Sequence, residues 1–188
     1  KGGAGTILRA QDMRIRRIVA IKVFDRSVEA LPALAERVLH EAAILAQLDH
    51  PGIIRCYDSG RFEGMPFLVM EYADRSLADV LRDGPQRPEF AVAVAAQIGD
   101  ALSYLHTKGI VHADIKPSNI LITANGRFQL SDFGLASKLG KLVGSAAGHA
   151  LGTPTYVSPE QAKGLPLDAR SDIYSLGIVL FEMFAGRA

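Results

Sequence analysis

The sequence has only one cysteine, Cys56, among its 188 residues. A single cysteine excludes an internal disulfide framework and any zinc site built from several cysteines. Such a chain is suited to a reducing compartment. We therefore expect it in the cytoplasm, either alone or as the cytoplasmic part of a larger, membrane-anchored protein.

Charge of one sign and long apolar runs are also scarce. The chain has 21 basic and 20 acidic residues and a net charge of +1, so its composition gives no reason to expect nucleic acid or a charged membrane surface as a partner. The most apolar late stretch, residues 173–184, contains Ser175 and Glu182 and is shorter than the roughly 20 residues that a transmembrane helix needs. The chain begins at Lys1 without a signal-peptide pattern, and we expect no membrane segment. Hydrophobic residues make up 48% of the sequence, which can supply the core of a folded domain.

The first part of the chain has the pattern of a small sheet with one helix. Short runs of β-branched and large apolar residues predict strands at residues 6–9, 17–24 and 67–71. Apolar residues at helical spacing after Pro32 predict one helix, which ends at His50 before a Pro-Gly pair. We expect residues 1–73 to form one small, strand-rich domain.

The remainder, residues 74–188, has a mainly helical pattern. Helices are predicted at residues 89–106, closed by Gly109, and from near residue 172 onward. Short strands are predicted between them at residues 110–112, 120–123 and 128–131, with a turn at Asn125-Gly126. Residues 135–151 are small and polar, which is typical of a mobile loop. We expect a ligand-binding cleft between the two parts of the chain.

Glycines and a lysine near the start of the chain suggest phosphate binding. Gly2, Gly3 and Gly5 precede a predicted strand, where missing Cβ atoms would let backbone N–H groups approach phosphates, although the same pattern fits a plain hairpin turn. Lys22 lies on a strand predicted to be buried, where an ammonium group needs an anionic partner. Glu41 in the following helix is the candidate partner, and the alternative is a solvated lysine on an edge strand.

Three oxygen-bearing side chains are grouped in the second part of the chain. Asp114 and Asn119 lie on a loop that opens the predicted hairpin, and Asp132 follows the second strand of that hairpin. Magnesium prefers such oxygen ligands and keeps several waters, so Asn119 and Asp132 are candidate metal ligands and Asp114 remains as a candidate base. The alternative is that these residues only cap turns or a helix.

These residues belong to an ordered set of motifs that covers nearly the whole chain. The motifs are Gly2 to Gly5, Val19 to Lys22, Glu41, Met70-Glu71-Tyr72, His112 to Asn119, Asp132 to Gly134, Gly152-Thr153-Pro154, Ser158-Pro159-Glu160 and Asp172 to Gly177. With them the chain resembles a eukaryotic-type serine/threonine protein kinase, most similar to the bacterial branch of that family. The resemblance implies a bilobal α+β fold with a small β-rich N-lobe, one main helix in that lobe, and a mostly helical C-lobe that is incomplete here.

The resemblance also implies an ATP site. The adenine would lie between Ala20 and Leu121, Met70 would be the gatekeeper, and the backbone that follows Met70 would bind the edge of the base. The residues implied for nucleotide binding are Gly2, Gly3, Gly5, Ala20, Lys22, Met70, Glu71, Tyr72, Ala73 and Leu121. The implied cofactors are ATP and Mg²⁺, with Mn²⁺ as an alternative metal.

The implied reaction is transfer of the γ-phosphoryl group of ATP to serine or threonine hydroxyls of protein substrates. Asp114 would accept the hydroxyl proton and Lys116 would neutralise the phosphoryl group. Thr153 would link both to the substrate platform, and Asp172 would hold the catalytic loop through its backbone. A second copy of the chain is an implied partner, as a homodimer for autophosphorylation.

Other side chains of this region are given structural roles. The resemblance implies that His112 is packed with Phe133, Leu45 and Cys56 rather than acting as an acid or base. Because the other histidines lack the spacing of a metal site, we expect solvent-facing or capping roles for them. They are His40, His50, His106 and His149.

The chain departs from the family pattern at two points. Ala113 stands where many relatives have an arginine that binds an activation-loop phosphate, so we expect basal activity without that phosphate, with Arg37 and Lys138 as partial substitutes. The chain also stops before the arginine expected to pair with Glu160. We therefore expect a truncated domain in which the helix after Ser171 exposes an apolar face.

Two other functions compete with this interpretation. A pseudokinase that acts as a nucleotide-binding scaffold would keep the fold without the transfer, but the implied catalytic residues are all present. A small-molecule kinase is the other alternative, and the motifs around Thr153 and Glu160 favour a peptide substrate instead.

Overall fold

The computed structural model describes residues 5–24, 39, 42–43, 45–133 and 154–186. Its contacts divide the chain into two compact units. The first contains Lys1–Asp49 and Ile54–Ala73, and the second contains His50–Ile53 and Asp74–Ala188. The two units therefore divide between Ala73 and Asp74, with one short earlier segment assigned to the second unit.

The first unit is built on a four-stranded antiparallel sheet with the order β1-β2-β4-β3. Its strands are β1 Gly5–Asp12, β2 Arg17–Phe24, β3 Cys56–Phe62 and β4 Met65–Glu71. Three of them include the strands predicted from sequence. β3 was not predicted, because its sequence is polar for a strand; it lies at an edge of the sheet, where no residue of it is fully buried.

One face of this sheet is buried, and it carries three of the predicted site residues, Ala20, Lys22 and Met70. Ala20, Lys22 and Phe24 alternate along β2 and are 8%, 6% and 1% exposed. Ala20 pairs with Met70 on β4, and Lys22 pairs with Leu68. Because directly opposed residues of an antiparallel pair point to the same face, the Lys22 side chain emerges from an apolar surface.

Gly5 begins β1 at a position that excludes a side chain. Its φ is +158°, and a Cβ atom there would lie 2.2 Å from the carbonyl oxygen of Val23. A contact that short would push the two strands apart, so the first register pair of the sheet, Gly5 with Phe24, depends on glycine.

The second unit combines helices with a small sheet of order β5-β6-β7. Its elements are β5 Arg75–Ser76, α1 Leu77–Leu81, α2 Pro88–Thr107, β6 Ile120–Ile122, β7 Phe128–Leu130, α3 Pro159–Ala162 and α4 Ala169–Ala185, with 3₁₀ turns at Pro117–Asn119 and Pro154–Tyr156. α2 packs against α4 and β7.

Helix α2 forms the centre of the core of the second unit. Pro88 occupies its first turn, where a missing N–H costs nothing. Its buried residues recur at helical spacing and are Ala91, Val94, Ile98, Ala101, Leu102 and Leu105. Burial of each valine, leucine or isoleucine side chain contributes roughly 1.5–3 kcal/mol, so this face fixes α2 and the loop that follows it.

Helix α4 has one buried and one exposed apolar face. Leu176, Val179 and Met183 are buried, whereas the exposed large apolar residues on the helix are Ile173, Tyr174, Phe181 and Phe184. The helix begins at Ala169 with Asp168 as its N-cap, three residues before the predicted start.

The prediction of a strand at residues 110–112 is wrong. The Ile110 N–H donates to Leu105 O at the end of α2, and the His112 N–H donates to the Asp172 carboxylate. The first bond ends a helix and the second holds a loop, so neither N–H takes part in a strand pair.

The described part of the chain contains no helix that is both long and apolar enough to cross a membrane.

Candidate active site

The catalytic-loop candidates come together around the carboxylate of Asp114. Lys116 Nζ donates to both of its oxygens, at 3.0 and 2.8 Å. Asn119 Nδ2 donates to the Asp114 Oδ2 atom at 2.9 Å and to the Asp114 backbone oxygen at 2.8 Å. Hydrogen bonds of this kind, in which a charged group takes part, are short and restrict the orientation of the carboxylate. The loop therefore presents the Asp114 carboxyl group in a fixed orientation.

Asn119 and Asp132 are joined through the backbone of the β6–β7 hairpin. The Ser131 N–H donates to Asn119 O at 2.9 Å, and the Ser131 hydroxyl donates to the same oxygen at 3.2 Å. The strands therefore place Asn119 beside the residue that precedes Asp132. Both side chains come from the same edge of the second unit.

The side chains of Asn119 and Asp132 fit a hard metal ion. Asn119 is 4% exposed. Its amide nitrogen donates to Asp114, which leaves Oδ1 as the candidate ligand atom, with the Ser118 hydroxyl at 3.4 Å. One amide oxygen and one carboxylate suit Mg²⁺, which binds few protein oxygens and takes the rest from phosphates and water. The described residues contain no group of three or more His, Cys, Asp or Glu side chains that could hold a metal ion. The pair Asn119 and Asp132 contains neither of the Cys and His ligands that are typical of zinc sites.

Two residues of this region have strained backbone conformations. Ala113 has φ +63° and Asp132 has φ +56°, both in the left-handed region that non-glycine residues rarely adopt. Strained conformations persist only where surrounding contacts hold them, and they concentrate at functional sites. Ala113 precedes the candidate base Asp114, and Asp132 is itself a candidate metal ligand.

Asp172 holds the backbone of the catalytic loop, as the resemblance implied. It lies in the first turn of α4 and is 1% exposed. Its oxygens accept the His112 N–H at 2.9 Å and the Ala113 N–H at 2.8 Å. His106 Nε2 lies 2.8 Å from the same carboxylate. The prediction of a solvent-facing or capping role for His106 is wrong, because this half-buried ring binds Asp172.

His112 is a buried, neutral scaffold residue. Its Nδ1 accepts the Asp114 N–H at 3.3 Å, so the ring proton resides on Nε2, which donates to Ser131 O at 3.1 Å. Its ring centroid is 4.7 Å from that of Phe133. Burial lowers the pKa of His112 below the ordinary value, although the Asp172 and Asp114 carboxylates oppose this shift. A neutral ring in these contacts positions its neighbours rather than transferring protons.

His50 has a capping role within the second unit. Its Nδ1 accepts the Gly52 N–H at 3.1 Å, and its ring stacks on Tyr104 at 4.9 Å.

Cys56, predicted to be core, is half-buried, and its thiol donates to Asp58 O. Burial raises the pKa of this thiol, which keeps it protonated.

The predicted nucleotide residues of the first unit lie on β2 and at the end of β4. Lys22 Nζ lies 5.4 Å from the ring centroid of Phe24. The Glu71 N–H donates to Arg55 O at 2.9 Å, so that donor is not available for a base. The Arg9 guanidinium lies over the Tyr72 ring, 5.3 Å from the ring centroid. If this segment binds a base, the bonds would come from the Glu71 carbonyl and from the backbone of Tyr72 and Ala73.

Leu121 belongs to the second unit, where it pairs with Ser76 and Gln129 and is half-buried. Several other predicted site residues lie outside the described residues. They are Gly2, Gly3, Glu41 and Thr153.

The comparisons with known proteins agree with this geometry. A family profile described as "Protein kinase domain" matches residues 1–188. The chain belongs to the protein kinase domain family. Serine/threonine-protein kinase PknB of Mycolicibacterium smegmatis is 41% identical over 193 residues, which is 98% of this chain and 31% of that protein. Serine/threonine-protein kinase pkn2 of Myxococcus xanthus is 38% identical, over 99% of this chain and 23% of that protein. The crystal structure of the M. tuberculosis PknI kinase domain matches with a TM-score of 0.78 at 28% identity, over 98% of this chain and 68% of that one.

These matches confirm the predicted family and the predicted kinase-like α+β fold. This kinase chain spans less than a third of the length of the two curated relatives. The roles of individual site residues stay predictions.

Sequence reasoning missed two contacts of the kinase catalytic loop. His106 binds Asp172, and the Gln161 side chain donates to the Ala113 carbonyl oxygen at 2.8 Å. The Ser158-x-x-Gln161 pattern indicates a helix cap and could have marked Gln161 as ordered. No local signal connects either residue to a loop that is distant in sequence.

Proposed function

We propose that this chain transfers the γ-phosphoryl group of ATP to serine and threonine hydroxyls of proteins. The observation that carries the proposal is the Asp114 carboxylate, which Lys116 and Asn119 hold in one orientation beside a candidate metal site. Phosphoryl transfer needs positioning and charge stabilisation more than covalent chemistry from the protein. A fixed carboxylate beside oxygen ligands supplies both.

In this proposal the carboxylate of Asp114 orients the acceptor hydroxyl and takes its proton. Lys116, which donates to both Asp114 oxygens, holds that carboxylate in place and presents its ammonium to the transferred group. Lys22 binds the α- and β-phosphates, with Glu41 as its partner. Thr153 joins the acceptor peptide to the catalytic loop.

Asn119 and Asp132 hold a divalent ion, for which we propose Mg²⁺, with Mn²⁺ as the alternative. The bound ion supplies neutralisation of phosphate charge. The backbone bonds from Ser131 to Asn119 O keep the two ligands in register. The strained φ of Asp132 supports a role for that side chain beyond packing.

ATP binds in this proposal through Gly2, Gly3 and Gly5, through Ala20 and Leu121, and at Met70, Glu71, Tyr72 and Ala73. Protein substrates carry the acceptor hydroxyl, and a second copy of the chain serves as substrate in autophosphorylation through a homodimer. The single cysteine supports a reducing location, and we propose the cytoplasm.

Transfer of radiolabelled phosphate from ATP to serine, threonine and tyrosine peptides tests the proposal. We expect label on serine and threonine only, with Mg²⁺ or Mn²⁺ required. Asp114→Asn should lower kcat by roughly 10²–10⁴, and Asp132→Ala should abolish transfer. The control is Asp83→Asn, an exposed site outside the proposed machinery, which should keep wild-type activity.

Folding of each variant is checked by circular dichroism. A folded Asp132→Ala protein with wild-type transfer would refute the metal assignment. ATP binding by the wild type without transfer to any peptide or to itself would refute the proposed activity.

A further inference from the structure

Gln161 makes two different sets of contacts from one side chain. It is the third residue of α3, and its Oε1 accepts the Ser158 N–H at 3.0 Å while the Ser158 hydroxyl accepts the Gln161 N–H at 3.4 Å. This is a capping box, which needs only the oxygen of the glutamine side chain. The amide nitrogen is left over, and it donates to the Ala113 carbonyl oxygen at 2.8 Å. The second contact is therefore not required to cap the helix.

The Ala113 carbonyl belongs to the peptide bond that leads into Asp114. The N–H of that same peptide donates to His112 Nδ1 at 3.3 Å. Because the carbonyl and the N–H of one peptide are coplanar, Gln161 and His112 fix the plane from opposite ends. The stronger hold comes from Gln161, because its bond is the shorter of the two.

Ala113 needs this hold because its backbone conformation is unfavourable. Its φ of +63° is disfavoured for any residue with a Cβ atom. Its N–H is bound by Asp172 and its C=O by Gln161. Release of the carbonyl would let the peptide rotate towards a commoner conformation and turn the Asp114 carboxylate with it.

We propose that Gln161 is a positioning residue that ties α3 to the peptide bond before Asp114 and thereby orients the Asp114 carboxylate. This inference rests on the proposed kinase function. It assigns to Gln161 an effect on the transfer step rather than on ATP binding. In this inference Gln161 acts by holding the backbone conformation of Ala113.

Gln161→Glu separates the two contacts of the side chain. A glutamate keeps an oxygen for the Ser158 N–H and favours a helix N-terminus, but it has no donor for the Ala113 carbonyl. We expect kcat at saturating ATP and peptide to fall at least tenfold, with the KM for ATP changed less than twofold and the urea midpoint unchanged. We also expect faster amide hydrogen exchange in the peptide that contains residues 110–116.

The Ala113→Gly background tests the route of the effect. Glycine adopts a positive φ without a Cβ penalty, so the loop there depends less on the bond from Gln161. We expect Gln161→Glu to lower kcat threefold or less in that background, against tenfold or more in the wild type. An equal loss in both backgrounds would show that Gln161 does not act through Ala113, and the inference would fall.

Failure of the inference about Gln161 can be distinguished from failure of the proposed kinase function. Wild-type protein without phosphoryl transfer would refute the function, whereas the exchange measurement would still report whether Gln161 holds the loop. Active wild-type protein with an equally active Gln161→Glu variant and unchanged exchange would overturn the inference alone.

Discussion

Replacement of Asp172 perturbs the catalytic loop at its most buried support. The carboxylate is 1% exposed and binds three groups: the N–H groups of His112 and Ala113 at 2.9 and 2.8 Å, and His106 Nε2 at 2.8 Å. A hydrogen bond to a charged group contributes about 1.5–3 kcal/mol, and a buried donor left without a partner costs about 1–3 kcal/mol. Loss of this side chain therefore has a large and calculable effect.

Two substitutions at Asp172 separate a partial loss of its hydrogen bonds from a complete loss. Asp172→Asn keeps the shape and one acceptor oxygen but turns an amide nitrogen toward a donor, so we expect it to lower the free energy of unfolding by about 2–3 kcal/mol. Asp172→Ala removes every acceptor, and we expect a loss of about 3–5 kcal/mol, because the three groups that it binds each lose their partner. Both should lower kcat, because the loop that carries Asp114 loses its support.

Urea denaturation followed by circular dichroism measures these losses. With a slope of about 2 kcal/mol/M, the midpoint should fall by roughly 1–1.5 M for Asp172→Asn and roughly 1.5–2.5 M for Asp172→Ala. The matched control is Asp168→Asn at the exposed N-cap of the same helix. Asp168 accepts the Arg170 N–H, and its hydrogen bonds do not involve the loop, so the effect should be far smaller. Equal midpoints for Asp172→Ala and the control would refute the view that Asp172 anchors the loop.

Two further predictions concern protonation and backbone space. The pKa of His112 is lowered from 6.5 by burial, so below about pH 6.5 the unfolded chain takes up a proton that the folded chain does not, and stability falls by up to about 1.4 kcal/mol per pH unit. The stability difference between wild type and His112→Gln, measured by urea denaturation, should therefore narrow between pH 7.5 and 5.5; a constant difference would contradict the assignment. Gly5→Ala should cost about 1–3 kcal/mol and raise the KM for ATP, because its Cβ would meet Val23 O. Gly99→Ala in α2, where a Cβ meets nothing within 4 Å, should instead be neutral or stabilising. Thermal unfolding of both variants measures these effects, and equal losses for both would refute the steric argument.

The parts of the fold that could be predicted from sequence are those set by local chemistry. β2 was predicted with the bounds that the structure has, because β-branched and apolar residues fill it. The hairpin turn was also predictable, but only Gly126 has a positive φ, +75°. Asn125 instead lies within the turn that Thr123 closes through its bonds to residues 126 and 127.

The unpredicted contacts join residues that are far apart in the chain. His106 and Asp172 are 66 positions apart, and Gln161 and Ala113 are 48 positions apart. From the local sequence, His106 is only a residue near a helix end and Gln161 is only part of a helix cap. Only the packing of α2 against α4 brings the first pair together, and periodicity does not specify which helix faces another.

Ala113 shows how the same position can be read from its side chain and from its backbone. Its methyl group cannot bind a phosphate, which is why the sequence indicated weaker dependence on loop phosphorylation. Its backbone, however, is bound on both sides, by Asp172 at the N–H and by Gln161 at the carbonyl. Neither bond requires an arginine at residue 113 or a phosphate. Because both partners belong to the second unit, the orientation of the peptide before Asp114 is set within that unit by the fold itself.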